Sequence, residues 1–521
     1  MRLYDVLDRG CSINPDGVAF TDGKRDLTYR ETRRAADRIA RRLSGMELGS
    51  ESIVAVCSPN HVLTFVAVLG ILRAGCIWLP INARYGHDEI EHALVSHDIS
   101  FVFYHSQTAE IVEASLPDSP AFRGSAVIDA ESTDNRSLEN WIKSGDDQPL
   151  DPEQTPDTVI AIRSTGGTTG PSRGVMVTNR VYMTMFASFL SCIDVLRSPV
   201  HLAAAPLSHA AGSLCLLTLA HGGTNVVLSK ALPEDILATI QDRKVTLLFL
   251  PPTLIYMLLK SPEIGRHDYG SLQYLVYAGA PMSVDRLREA ITVFGPVLLQ
   301  GYGQAEAPFF CTCLMPEEHV VEPNIDGERR LASCGRATTF TRVAVMDDDD
   351  RILPDEEVGE IVVRGDIVMK GYYRNPDATA EVSRGGWHHT GDMGYRDTDG
   401  YYYIVDRKRD IIISGGFNIA PSEIERVLWA HPAVQDCAVI GVPDETWGEA
   451  VKAIVELKDG TTVTEAELQE MCTARLGSMK KPRTIEFWPE LPRSSVGKVS
   501  KREIRARFWG PGETAPKLRK L

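Results

Sequence analysis

The chain has 521 residues, enough for two to four domains of ordinary size and for a core that needs no disulfide staples. Apolar residues make up 43% and charged residues 24%, the balance of a folded globular protein and far from that of a disordered one. With 55 Lys and Arg against 70 Asp and Glu the net charge is −15, which repels a polyanion and excludes nucleic acid as a general partner.

The first residues, MRLYDVLDRGCSINPDG, put Asp and Gly where a signal peptide needs an unbroken apolar stretch, so a cytoplasmic location is expected. The run Val62 to Leu72 is too short to cross a membrane and reads as a buried helix. Ten cysteines lie scattered through apolar contexts without C-x-x-C spacing and read as buried, reduced thiols. Cys311 and Cys313 share a face if their segment is a strand, which by itself is a weak pointer to metal or redox chemistry.

From residue 25 to about 300, helical stretches alternate with short β-branched runs, the pattern of βαβ units and parallel sheets. Strands are predicted at Glu51–Cys57 and Cys76–Pro80, around a helix over Thr64–Ala74. A second series has strands at Asn225–Leu228, Val245–Leu250 and Leu275–Tyr277 and a helix from Pro233. The expected fold class is α/β, with two wound lobes. Between about 333 and 405 short strands with acidic or Gly-rich turns predict a β-rich subdomain. Asp347–Asp350 lacks EF-hand spacing and reads as a solvated turn. Beyond DRKRD at 406–410 a compact α+β segment follows, with a helix from Ser422 and a strand at Ala438–Gly441. From Arg475 onward thirteen basic residues face four acidic ones, a net of +9 on an otherwise anionic chain, which suits a basic cap over a phosphorylated ligand.

The richest local signal is Ser164-Thr165-Gly166-Gly167-Thr168-Thr169-Gly170-Pro171-Ser172-Arg173-Gly174, directly after the apolar run VIAI. Glycines let consecutive N–H groups turn around an anion and Thr hydroxyls add donors, so this composition suits a polyphosphate. No G-K-[ST] follows, so it is not a Walker A loop. In order downstream come PLSHAAG (206–212), YAGAP (277–281), QGYGQAE (300–306), GWHHTGD (386–392), DRKRDIIISGGFNIAPSEIE (406–425) and LPRSSVGKV (491–499). On these seven blocks the chain resembles the adenylate-forming superfamily over essentially its whole length. That superfamily includes acyl-CoA and aryl-CoA synthetases, carrier-protein-loading adenylation domains and beetle luciferases.

The resemblance implies an N-terminal adenylation domain over 1–408 and a mobile C-terminal lid over 409–521, using ATP, Mg²⁺ and CoA. A carboxylate must attack the α-phosphate of ATP. Both are anions, so cations must converge on one point. The resemblance assigns that role to Lys498, otherwise one more surface lysine, and makes Glu306 the carboxylate that holds Mg²⁺. It puts Thr165, Gly166, Gly167, Thr168, Thr169, Gly170 and Arg173 on the phosphates. Gly279, Ala280 and Pro281, with Gly301, Tyr302, Gly303, Gln304 and Ala305, would seat the nucleotide, glycines giving close backbone approach and Tyr302 a stacking face. Asp392 would accept the ribose hydroxyls and Arg407 would contact ribose or α-phosphate. His209 stands at an aromatic gate near the reacting carboxylate, or is a histidine satisfied in the core. Arg409 would be the hinge, while Gly415 and Gly416 would pass the pantetheine arm.

Five positions, at four places, depart from the family pattern: Gly166 for Ser, Ser172-Arg173 for Pro-Lys, Ala305 for Thr, and Arg409 for Asp or Lys. Arg for Lys keeps the charge but changes its geometry, and Ala305 removes a hydroxyl beside the phosphate. The resulting reading is an ATP-dependent acid–thiol ligase that activates a carboxylic acid as acyl-AMP and passes it to CoA, with a lean to fatty acids. Loading of a carrier protein, an aryl-acid CoA ligase, and a non-catalytic nucleotide- or acyl-binding regulator are the alternatives. Oligomeric state stays open, a homodimer being compatible.

Overall fold

The structure, a computed structural model, describes all residues except 131–135, 165–172, 195–197, 322–324, 416, 494–498 and 510–521. They form two compact units. The first is drawn from Met1–Gly166, Ser172–Val343 and Val363–His388, the second from Ala344–Val362 and His389–Leu521.

The first unit holds the two expected α/β lobes. A seven-stranded sheet runs in the spatial order 371–372, 174–178, 159–164, 77–82, 53–58, 99–104 and 125–127, parallel from 159–164 onward. Its central strands are buried on both faces, which is why they read as continuous apolar runs. Between two of them lies the helix Val62–Arg73, with every residue buried. Its last residue, Arg73, is tolerated there because Asp8 and Asp37 neutralise it.

A nine-stranded sheet orders 336–337, 312–314, 298–302, 274–277, 247–249, 200–203, 224–227, 18–21 and 26–28, with parallel pairing from 298–302 to 18–21. The expected helix at Pro233 spans Pro233–Asp242, with proline in the first turn, where its missing N–H costs nothing. Among the described residues no helix is long and apolar enough to cross a membrane.

In the second unit the strand Trp387–Arg396 pairs antiparallel with Tyr402–Arg407 in the expected β-rich region. The Asp347–Asp350 turn is held by its own chain: Asp347 accepts the amides of Asp349 and Arg351, and Asp348 pairs with Lys408. A further sheet orders 417–419, 412–414, 448–457 and 434–444, with 484–487 parallel to 448–457. The helix Pro421–Trp429 packs into the same core through Ile424 and Leu428. None of the ten cysteines, all of them among the described residues, forms a disulfide; nine are buried and Cys192 is half-buried.

Candidate active site

In the first unit the strands Tyr274–Tyr277 and Leu298–Tyr302 run parallel with Tyr277 opposite Gln300. Their C-terminal ends therefore bring Gly279–Pro281 and Gly301–Glu306 to the same edge of the sheet, where α/β folds leave a crevice for ligands. Gly279 sits at φ +87°, in the left-handed region, so the turn after the first strand requires glycine. Beneath it the buried Tyr277 hydroxyl lies 3.0 Å from His319 Nε2. His319 Nδ1 is 2.8 Å from the Met315 carbonyl, which makes it the donor and leaves Nε2 an acceptor that shares the Tyr277 hydroxyl with Gln300 Oε1 at 3.1 Å. Burial pushes His319 down to about 4, so the ring is neutral at pH 7.

Gly301 and Gly303 do grant close approach, and the chain itself uses it. A Cβ on Gly303 would stand 2.5 Å from the Phe309 nitrogen, and one on Gly301 would stand 3.1 Å from the Phe310 ring. Tyr302 is buried on the strand, and the Gln304 amide donates to the Ala307 carbonyl at 2.9 Å. Ala305 is half-buried between Gln304 and Glu306.

Glu306 is held twice from one short segment. Its carbonyl accepts the Met369 amide at 2.7 Å, and its Oε1 accepts the Tyr372 hydroxyl at 2.7 Å. Arg173, the first described residue after 165–172 of the Gly-rich block, lies 5.2 Å over the Tyr372 ring. Burial and the Glu306 carboxylate raise the Tyr372 pKa, so its hydroxyl keeps its proton and remains a donor. Nothing local in the sequence marks Tyr372. It belongs to a two-residue strand that pairs with Val175–Met176, and only that pairing carries it to Glu306.

His209 is half-buried at the N-terminus of the helix Ala210–Ala220, its Nε2 3.5 Å from Asn82 Nδ2. Thr165, Gly166, Gly167, Thr168, Thr169 and Gly170 lie outside the described residues. The strands on either side of them pair antiparallel, with Ser164 opposite Gly174. Gly416 and Lys498 also lie outside the described residues, although Arg493 and Val499 bridge antiparallel on either side of 494–498.

In the second unit Asp392 and Arg407 face each other directly across two antiparallel strands. Arg407 Nε is 2.7 Å from Asp392 Oδ1; the carboxylate is buried and the guanidinium half-exposed. Glu360 supports them from below. It accepts the Gly391 amide at 2.9 Å and lies 3.3 Å from His389 Nδ1 and 3.2 Å from Lys408 Nζ. Burial alone would raise the Glu360 carboxyl, but His389, Lys408 and the Gly391 amide together bring it down to about 2. Arg409 lies in the turn after Tyr402–Arg407, and its neighbour Asp410 is tied to Arg505 at 2.7 Å. Gly415 takes φ +58°, and the space its missing side chain leaves is filled by the Trp447 ring.

The first unit thus holds a shared edge of parallel strands, a glycine-dependent turn and a pinned carboxylate, and the second unit by itself holds a buried aspartate backed by arginine. Residues 7–373 match the sequence profile of AMP-binding enzymes, and residues 423–498 match that of their C-terminal domain. The chain belongs to the AMP-binding enzyme family. It is 36% identical to a feruloyl-CoA synthase of Amycolatopsis over 502 residues, 96% of this chain and 98% of the relative. Over 361 residues, 68% of this chain and 62% of the relative, it is 40% identical to a medium/long-chain-fatty-acid–CoA ligase of Mycobacterium tuberculosis. ATP-bound MatB from Rhodopseudomonas palustris superposes with a TM-score of 0.88 at 27% identity, covering 98% of this chain and 99% of that one. This AMP-binding enzyme has the large α/β domain and smaller C-terminal domain of such structures.

Proposed function

We propose that the protein is an ATP-dependent, AMP-forming acid–thiol ligase. An oxygen of the acid attacks the α-phosphorus of ATP, the bond to pyrophosphate breaks, and acyl-AMP forms. The thiol of CoA then attacks the acyl carbonyl and AMP leaves. What carries this reading is the shared edge at which Gly279–Pro281 and Gly301–Glu306 end, with the Glu306 carboxylate oriented by Tyr372.

Lys498 is the cation that draws carboxylate and α-phosphate together, with Thr165–Gly170 and Arg173 on the outer phosphates. Gly279, Ala280, Pro281, Tyr302, Gln304 and Ala305 line the seat of the base and its phosphates. Asp392 accepts the ribose hydroxyls with the oxygen capacity that Arg407 leaves it, and Arg407 keeps that carboxylate aimed. His209 flanks the entering carboxylate. The donor set suits Mg²⁺, since one carboxylate, Glu306, completed by phosphate oxygens and water is an ordinary Mg²⁺ arrangement. When bound, the ion neutralises phosphate charge. The 409–521 segment turns about Arg409 between the two steps, with Gly416 admitting the pantetheine arm, since the Trp447 ring takes the space beside Gly415. The location is cytoplasmic.

The test is a product analysis of the purified protein with ATP, CoA and a panel of carboxylic acids. AMP, pyrophosphate and thioester in equal amounts are expected. Release of ADP, or ATP binding without turnover on any acid, would overturn the reading.

A further inference from the structure

Two blocks of the second unit, DRKRD at 406–410 and GKV at 497–499, are far apart in sequence, and one cluster of charges links the first to the residues that follow the other. At its centre is Lys501, at the start of the five-residue helix Lys501–Arg505. Its Nζ is 2.8 Å from Oε1 of Glu425, on the helix Pro421–Trp429. One turn on, Arg505 Nη1 is 2.7 Å from Asp410 Oδ1, and Asp410 is the residue after Arg409. Asp406, the residue before Arg407, accepts the Ser422 amide at 2.9 Å and so ties the first block to the helix that carries Glu425.

Glu425 is 5% exposed, and its carboxylate accepts the Val439 amide at 2.7 Å as well as facing Lys501. Burial by itself lowers the Lys501 pKa, but Glu425, Asp406 and Asp410 together raise it, so the side chain keeps its charge. Burial raises the Glu425 carboxyl, a shift that Lys501 opposes. Apolar packing already seats the short helix, because Ile504 is fully buried in a cluster with Ala438, Ile440, Ile454 and Leu491. Ion pairs of this kind are a weak source of stability, and what they add to that packing is a fixed geometry.

Chain length turns that geometry into a constraint on Lys498. Lys498 precedes Lys501 by three positions, and three residues span at most about 10 Å, so the point at which Lys501 is pinned limits where Lys498 can be. The chain before 494–498 is pinned as well, through Arg493, whose Nη2 is 2.8 Å from Asp436 and 3.3 Å from Glu456.

We infer that Lys501 is a positioning residue for the acyl-AMP-forming step: through Glu425, and with Arg505 on Asp410, it fixes the origin of Lys498 relative to Arg407 and Arg409 within the second unit. The inference rests on the ligase reading above and adds to it a residue that acts through Lys498.

The experiment measures two rates at saturating substrates in the wild type, Lys501→Met and Glu425→Gln: acid-dependent exchange of labelled pyrophosphate into ATP, and thioester formation from preformed acyl-AMP and CoA. Lys498 serves the first step and not the second, so misplacing it should lower exchange by about tenfold or more while thioester formation stays within about twofold of wild type. Methionine keeps an unbranched stem of similar length and removes the charge. Where a thermal melt shows that Lys501→Met fails to fold, Glu425→Gln, which can still accept the Val439 amide, breaks the same pair from its other side. A fall in exchange that does not exceed the fall in thioester formation by at least about fivefold would mark a structural role and overturn the inference, leaving the ligase reading standing. A wild type without acid-dependent exchange would overturn both.

Discussion

Tyr372→Phe removes one oxygen and nothing else from the arrangement that holds Glu306. The lost interaction is a 2.7 Å hydrogen bond from the hydroxyl of Tyr372, a residue 5% exposed, to a carboxylate oxygen. Hydrogen bonds to charged groups contribute about 1.5–3 kcal/mol. If the bond serves to aim Glu306, the loss appears in turnover as roughly a ten- to hundredfold fall in acid-dependent pyrophosphate release. The ring, its contact with Arg173 and the backbone amide to Thr379 all survive the substitution, so the fold should be retained. A purely structural role would instead lower the melting temperature and leave the rate per folded molecule unchanged. The Mg²⁺ concentration for half-maximal rate should rise in the variant, and calorimetric titration with Mg²⁺ and a non-hydrolysable ATP analogue should weaken in parallel. Activity within twofold of wild type, with unchanged Mg²⁺ dependence, would show that the Tyr372 hydroxyl does not aim Glu306.

Glu360 gives a pH prediction in the second unit. Its carboxyl is held at about 2 against an ordinary value of 4.5, so its contribution is complete above 4.5 and lost as the pH falls toward 2. At 1.36 kcal/mol per pH unit that contribution is about 3 kcal/mol as an upper bound. Denaturant unfolding of the wild type should weaken between pH 4.5 and 2 more steeply than that of Glu360→Gln, and parallel slopes would contradict the assignment. Gly279→Ala puts a side chain at φ +87°, costing about 1–2 kcal/mol at the turn after Tyr274–Tyr277, where we propose that the nucleotide sits. The KM for ATP should rise several-fold while the KM for CoA holds, as steady-state kinetics would report.

The large features of the fold were legible because each has a local physical signature. Continuous apolar runs marked the doubly buried strands, and the Val62–Arg73 helix declared itself by having no polar face at all. Strand ends shifted by one or two residues, as with Glu51–Cys57 against the observed Ile53–Ser58, because pairing partners rather than composition set them. Glu306, Asp392 and Arg407 were nameable from their blocks, and the direct opposition of Asp392 and Arg407 in the sheet accounts for the spacing between those two blocks. Tyr372 and Glu360 were invisible for a common reason. Each draws its meaning from a residue tens of positions away, which is not written in the neighbouring sequence. Gly301, Gly303 and Gly415 carried a true signal, close approach, whose beneficiary only the fold identifies: Phe309, Phe310 and Trp447.

The central claim is that this chain joins an acid to AMP before any thiol takes part. Its most direct test is exchange of labelled pyrophosphate into ATP, without CoA, by the wild type and by Lys498→Ala. Exchange that requires the acid in the wild type and vanishes in Lys498→Ala, while preformed acyl-AMP is still converted to thioester, is the expected result. Exchange that ignores the acid, or that persists at the wild-type rate in Lys498→Ala, would contradict it.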